Sequence, residues 1–374
     1  MTSTEQAAEA ATDIHTDQDA ASDSEAAVAA GGEAPARKRH RVRRTLLIAC
    51  GGVLAVILVI VVVTSVTPWP SAMVIRAVFE KGGKATVAEA SQYVPDTPLR
   101  TMSGVQYGDG GPDTTLDVYT PAAQGKSLPT IVWIHGGAWI SGSASDVEPY
   151  LRILAAKGYT GIALNYSLGP EKAYPTAVHQ LNDALAYITE HAGALSVDTS
   201  RIILAGDSAG AQLASQLATL VTNPDYADLL GMRPALTRAQ LIGVILNCGV
   251  YDMRAMAELD GIVAWGFKIA LWAYTGTKGW SAEYPGATMS TIEFVTDDFP
   301  PTFISGGNGD GLTWLQGIPM AQRLSSLGVD VTPLFWPAQH EPALPHEYQF
   351  HLHYSEAQEA LTRTEDFLAH VTAH

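Results

Sequence analysis

From Thr45 to Thr67 the chain carries no charge, and Leu, Ile, Val, Ala and Gly dominate. An apolar run of at least about 20 residues spans a hydrocarbon core of about 30 Å as a helix. Beyond it the pattern changes to short apolar runs separated by stretches of helical periodicity. The runs predict strands at Thr114–Tyr119, Thr130–Ile134, Gly158–Tyr166, Arg201–Ala205, Leu241–Asn247, Thr302–Ser305 and Val331–Trp336. Helical patterns fall near Val147–Lys157, Ala177–His191, Ala209–Thr222, Trp314–Leu327 and Ser355–His370, with weaker ones at Met73–Phe79 and Val87–Tyr93. Strands that alternate with helices over this length predict an α/β fold: a mainly parallel twisted sheet covered on both faces. Its active site is expected at the C-terminal ends of the strands. Residues Ala255 to Met289 break the alternation with Trp265, Phe267, Trp272, Tyr274, Trp280 and Tyr284 among glycines.

Charge sharpens the reading of the apolar run. Of the 374 residues, 1–36 hold eight acidic side chains and no Lys or Arg, whereas 37–44 hold six Lys or Arg and no acid. The first stretch is too poor in large apolar groups to offset its ordering entropy and is expected to be disordered. The second abuts the N-terminal end of the apolar run, so the positive-inside rule puts the N-terminus in the cytoplasm and the rest outside. The run is longer than the apolar region of a signal peptide and lies behind more than forty residues, which favours a single membrane anchor. With a formal net charge of -16, nucleic acid is a poor partner. The two cysteines, Cys50 and Cys248, make no disulfide framework. No Cys/His cluster has metal-ligand spacing, and no cofactor is expected.

Candidate chemistry comes from two glycine-rich turns. Gly206-Asp207-Ser208-Ala209-Gly210 follows the apolar Arg201–Ala205 and precedes a strong helix former, which places Ser208 on a sharp strand-to-helix bend. Flanking glycines suit such a bend because the backbone is strained and neighbouring side chains would collide. His135-Gly136-Gly137-Ala138-Trp139 follows the strand Ile131–Ile134. Amides of Gly136, Gly137 and Ala209 are the expected oxyanion-hole donors, each worth roughly 3 kcal/mol of barrier.

On these fingerprints the chain, from about Asp113 onward, resembles the α/β-hydrolases of the carboxylesterase type related to hormone-sensitive lipase. The resemblance implies a serine nucleophile, an acid and a histidine in that chain order. Pro300-Pro301-Thr302-Phe303-Ile304-Ser305-Gly306-Gly307-Asn308-Gly309-Asp310 is similar to the family's seventh strand and turn, which implies Asp310 as the acid. His346-Glu347-Tyr348-Gln349-Phe350 is similar to the family's His-containing turn, which implies His346 as the base, with His340 as its rival. His351 and His353 are expected at the start of the last helix. His135, Asp207, Trp139 and Cys248 are expected in shaping and packing roles. Ser167 stands where an Arg is common in the family and Gly169 where an Ala is. These departures, and the absence of a third glycine after His135, point toward the neighbouring carboxylesterase and arylformamidase branches.

The expected organisation is a tail at 1–44, a transmembrane helix at 45–67, a juxtamembrane segment at 68–103 and an α/β-hydrolase domain at 104–374, with a cap at about 253–292. The expected substrate is a small-molecule ester, cleaved through an acyl-enzyme with kcat/KM declining below a pH of roughly 6 to 7. An amide hydrolase, such as an arylformamidase or a peptidase, uses the same chemistry and stays open. So do a catalytically dead extracytoplasmic binding protein and the oligomeric state.

Overall fold

Ile131–Ile134, Ile202–Ala205 and Val244–Leu246 have no polar position, and in the structure both faces of these strands are buried. The computed structural model describes residues 36–373 other than Gln124. Eight strands form one sheet: β1 (Arg100–Gln106), β2 (Thr115–Thr120), β3 (Leu128–Ile134), β4 (Thr160–Leu164), β5 (Val197–Asp207), β6 (Leu241–Asn247), β7 (Thr302–Gly306) and β8 (Val331–Phe335). Their order is β1-β2-β4-β3-β5-β6-β7-β8, with β2 antiparallel to both neighbours and the others parallel. This is the mainly parallel, doubly covered sheet that the patterning predicts.

Period-two alternation sorts the core into two layers. Val132, Ile134, Ile202, Leu204, Val244 and Leu246 pack on one face with the helices Thr176–Glu190 and Ala209–Thr222. Ile131, Trp133, Ile203, Ala205 and Ile245 face the helices Glu148–Ala156 and Ser355–Thr372. Each fully buried Ile, Leu or Val contributes about 1.5–3 kcal/mol, so the register of the central strands is strongly fixed. Ile134 pairs with Gly206 and Asp207 with Asn247, which brings the C-terminal ends of β3, β5 and β6 to one edge of the sheet.

The chain divides into two units, one ending at Ile60 and one spanning Val61–His374. A helix runs Ala36–Val66, and its stretch His40–Val66 is long and apolar enough to cross a membrane. It begins nine residues before the expected Thr45 because Arg and Lys are good helix formers and continue the helix through the basic run. The expected disordered tail at 1–36 lies outside the described residues, apart from Ala36.

Three elements differ from expectation. Met73–Phe79 and Val87–Tyr93 belong to one helix, Trp69–Ala90, with a short 3-10 turn after it. Its Arg76 guanidinium donates to the Gly169 carbonyl at 2.7 Å and to Glu171 at 2.6 Å, tying this segment to the body that carries the sheet. The sheet begins at Arg100, so β1 crosses the expected boundary at 103/104. Its exposed positions hide it from a search for apolar runs. The helix Pro224–Leu230 has no expected counterpart; Asn223 caps it by accepting from the Tyr226 N–H at 3.1 Å. Between β6 and β7 lie the helices Met253–Ala257, Gly261–Thr275 and Tyr284–Met289, within the span expected for the cap.

Candidate active site

Ser208 stands between the last residue of β5 and the first of the helix Ala209–Thr222, with φ 50° and ψ -118°. A non-glycine residue held there costs about 1–3 kcal/mol. The bend is tight enough to exclude side chains on both flanks. A Cβ on Gly206 would lie 2.4 Å from the Gly210 carbonyl carbon, and one on Gly210 would lie 2.0 Å from the Ile134 oxygen. The Ser208 amide donates to the Asn247 carbonyl at 2.9 Å, which anchors the bend to β6.

The turn after β7 presents Asp310. The Asn308 side chain donates to the His340 carbonyl and accepts from the Leu344 amide, joining this turn to the loop that leads to His346. Asp310 Oδ1 accepts the Leu312 amide at 2.9 Å, while Oδ2 lies 2.6 Å from His346 Nδ1. His346 Nε2 in turn lies 2.9 Å from Ser208 Oγ. The structure thus brings Ser208, His346 and Asp310 into one hydrogen-bonded line, although Asp310 and His346 lie 102 and 138 positions after Ser208 in the sequence. His340 is elsewhere: its Nε2 pairs with Glu356 at 2.7 Å and its ring leans on Trp336.

Two carboxyl groups crowd this line. Asp207 accepts from the Trp133 indole at 2.7 Å and from the Gly136 amide at 2.8 Å. Glu347, at a left-handed φ of 58°, brings its Oε1 to 3.7 Å from His346 Nε2. A Cβ on Gly136 would meet both, at 2.3 Å from Asp207 and 2.7 Å from Glu347. Burial first, then the neighbouring Glu347 carboxylate, push the Asp207 carboxyl well above the usual range. Burial draws the His346 imidazole down, but the charge and hydrogen bond of Asp310 outweigh it, with help from Glu347 and Asp207. The result is a pKa raised to about 9. The expected titration near 6 to 7 therefore moves upward, because the acidic surroundings favour the imidazolium.

The expectation for Gly136 needs correction. Its N–H is committed to Asp207, so it is unavailable to an oxyanion. Gly137, Ala138 and Trp139 follow with φ of 104°, 52° and 59°, a left-handed run. The run is held by Ile140 and Ser141 amides donating to the Gly137 carbonyl, and by the Gly169 amide donating to that of Trp139. The Trp139 indole donates to Gln212, and its ring stacks on Tyr274 of the inserted helix Gly261–Thr275. His135 is buried, stacks on Tyr166 and is lowered in pKa by burial, in keeping with a shaping role.

A cavity of about 360 Å³ opens beside Ser208, lined among others by Gly137, Ala138, Phe267, His346 and Glu347. Of the six aromatics in the insertion, Phe267 lies on this wall, whereas Tyr274 and Trp280 are buried in the core and Trp265 and Tyr284 are exposed. Val78, Phe79 and Gly82 of the helix Trp69–Ala90 complete the wall, a contribution that the sequence reading did not assign. Glu347 was also missed, though it directly follows the expected base. Its position in that turn was the available signal.

A mainly parallel sheet carrying a serine on a β-to-α bend, with an acid turn after β7, defines an α/β-hydrolase. The chain matches the BD-FAE family over residues 116–322, more than half of its length, and belongs to that family. It is 28% identical over 225 residues to Esterase LipQ of Mycobacterium tuberculosis, covering 59% of this chain and 50% of that protein. It is 38% identical over 209 residues to an acetyl esterase of Salmonella paratyphi A, covering 54% and 60% respectively. The chain thus spans about half to three fifths of the length of these relatives. Esterase B from Lactobacillus rhamnosis has a similar fold, with a TM-score of 0.69 at 24% identity over 81% of this chain and 95% of that one.

Proposed function

We propose that this protein is a membrane-anchored serine hydrolase that cleaves carboxylic esters of small molecules. The observation that carries the reading is the line from Ser208 Oγ to His346 Nε2 at 2.9 Å and from His346 Nδ1 to Asp310 Oδ2 at 2.6 Å. With the hydrogen on Nδ1 held by Asp310, the Nε2 lone pair faces the serine hydroxyl and takes its proton as the oxygen attacks the ester carbonyl. Amides of Gly137 and Ala209 receive the developing oxyanion, with Ala138 in the place expected of Gly136. The left-handed run supports this, because successive amides in that conformation point to one side. The imidazolium then protonates the leaving alcohol, and water activated by the same ring releases the acid.

Hydrolysis of a graded series of p-nitrophenyl esters, measured beside N-formylkynurenine from pH 5 to 10, tests this reading. Ester turnover should exceed formamide turnover. Since only the neutral imidazole is a base, kcat/KM should fall about tenfold per pH step below about 9 in the free enzyme. A flat profile across that range, or preference for the formamide, would count against it.

The anchor reading rests on the apolar helix His40–Val66 and the basic run at 37–44. It puts the N-terminus in the cytoplasm and residues from 68 onward outside, with the hydrolase domain and its cap at about 253–292 extracytoplasmic. Protease added to intact cells should digest the hydrolase domain. Complete protection would reverse the topology.

A further inference from the structure

We propose that Glu89, His351 and His353 form a binding site for a transition-metal dication of the zinc class, separate from the Ser208 line. Glu89 sits in the last turn of the helix Trp69–Ala90, and the two histidines occupy the turn between Phe350 and the final helix at Ser355. This corrects their expected placement: both precede that helix and reach across to a residue more than 260 positions upstream.

The geometry is convergent. His351 Nδ1 lies 2.9 Å from one Glu89 oxygen, and His353 Nδ1 is hydrogen-bonded to the other. One nitrogen from each ring and one carboxylate oxygen all lie within 4.8 Å of one another. The two rings stand edge to face at 70°, so they approach the shared carboxylate from different directions. Backbone bonds from the His351 amide to the Tyr348 carbonyl and from the Tyr354 amide to the His351 carbonyl fix the turn, and the His353 ring packs on Tyr354. A small cation therefore finds the donors gathered before it arrives.

The donor set selects the metal. Two imidazole nitrogens and one carboxylate oxygen suit zinc and its neighbours and leave a fourth position for water, whereas calcium and magnesium take oxygen shells. Binding needs a lone pair on each Nδ1. A neutral ring supplies it by carrying its hydrogen on Nε2, and a protonated ring supplies it by releasing a proton to solvent, so affinity weakens in acid.

Cys248, Asp310 and His346 also gather within ligand distance, but they belong to the site already described. The Glu89 cluster is one step away from it. His351 lies on the wall of the Ser208 cavity, five residues after His346, and the helix carrying Glu89 supplies Val78, Phe79 and Gly82 to the same wall. A bound metal would staple these two walls together. Sequence spacing hides the site because its third ligand comes from a different element.

The test uses the full-length chain in detergent, without a histidine tag. Zinc chloride is titrated by calorimetry and by thermal unfolding, and cobalt chloride by visible absorption. One zinc per chain, a rise in Tm of a few degrees that EDTA reverses, and the intense visible bands of four-coordinate cobalt are expected. In Glu89→Gln and in His353→Ala, zinc affinity should fall about tenfold or more, while labelling of Ser208 by a fluorophosphonate stays intact. Absence of saturable zinc binding, or unchanged affinity in both variants when Ser208 still labels, overturns the proposal. Loss of labelling in the unsubstituted protein would instead strike at the hydrolase reading, so the two failures are distinct.

Discussion

Replacement of Ser208 by Ala lowers turnover of a p-nitrophenyl ester on the order of 10⁴- to 10⁶-fold, with KM and Tm little changed. The magnitude follows from the chemistry, because without the hydroxyl there is no nucleophile for His346 to activate and no acyl-enzyme can form. The residual rate comes from substrate binding and from the amides around the cavity. Folding should survive because Ala is smaller than Ser and the same left-handed φ of 50° is already imposed on a non-glycine residue. Loss of fluorophosphonate labelling in the same variant supplies the direct readout. Retained turnover in a folded Ser208→Ala protein would end the serine-hydrolase reading, whatever the geometry of the site.

Gly210→Ala has the second large effect, on stability. An added Cβ would lie 2.0 Å from the Ile134 oxygen and 2.6 Å from the His135 oxygen. Both are main-chain atoms at the end of a central strand, so no side chain can swing aside. Overpacking of this kind costs about 3 kcal/mol, which corresponds to a fall in Tm of roughly 6 to 12 °C for a domain of this size. Esterase activity should fall with it, because separating the helix from β3 disturbs both Ser208 and the left-handed run at 137–139. Gly193→Ala is the control: its Cβ would meet nothing within 4 Å, and its Tm should match the unsubstituted protein. Equal melting of the two variants would show that the bend is looser than these contacts require.

Local chemistry explains which elements were readable. The central strands are apolar throughout because both faces are buried, and Leu241–Asn247 has the same bounds in sequence and structure. Gly206 and Gly210 mark the bend because only glycine fits the closely approaching backbones. β1 was missed because its side chains are largely exposed, leaving an edge strand with little apolar signal. The helix Trp69–Ala90 shows in the sequence only as two fragments. Gly82 and Gly83 interrupt its periodicity, while packing on the hydrolase body and the Arg76 bonds hold it together.

For the site, the sequence by itself supplied residue types and their order: a serine on a bend, a glycine-rich loop after β3, an acid after β7 and several histidines near the end. Local propensity and steric exclusion operate over a few residues, so these features could be read without the fold. Bringing His346 rather than its rival His340 to Ser208, committing the Gly136 amide to Asp207, raising the His346 pKa and gathering Glu89 with His351 and His353 depended on tertiary structure. Each depends on distances between groups far apart in the chain, and hydrogen bonding, burial and charge coupling act through those distances.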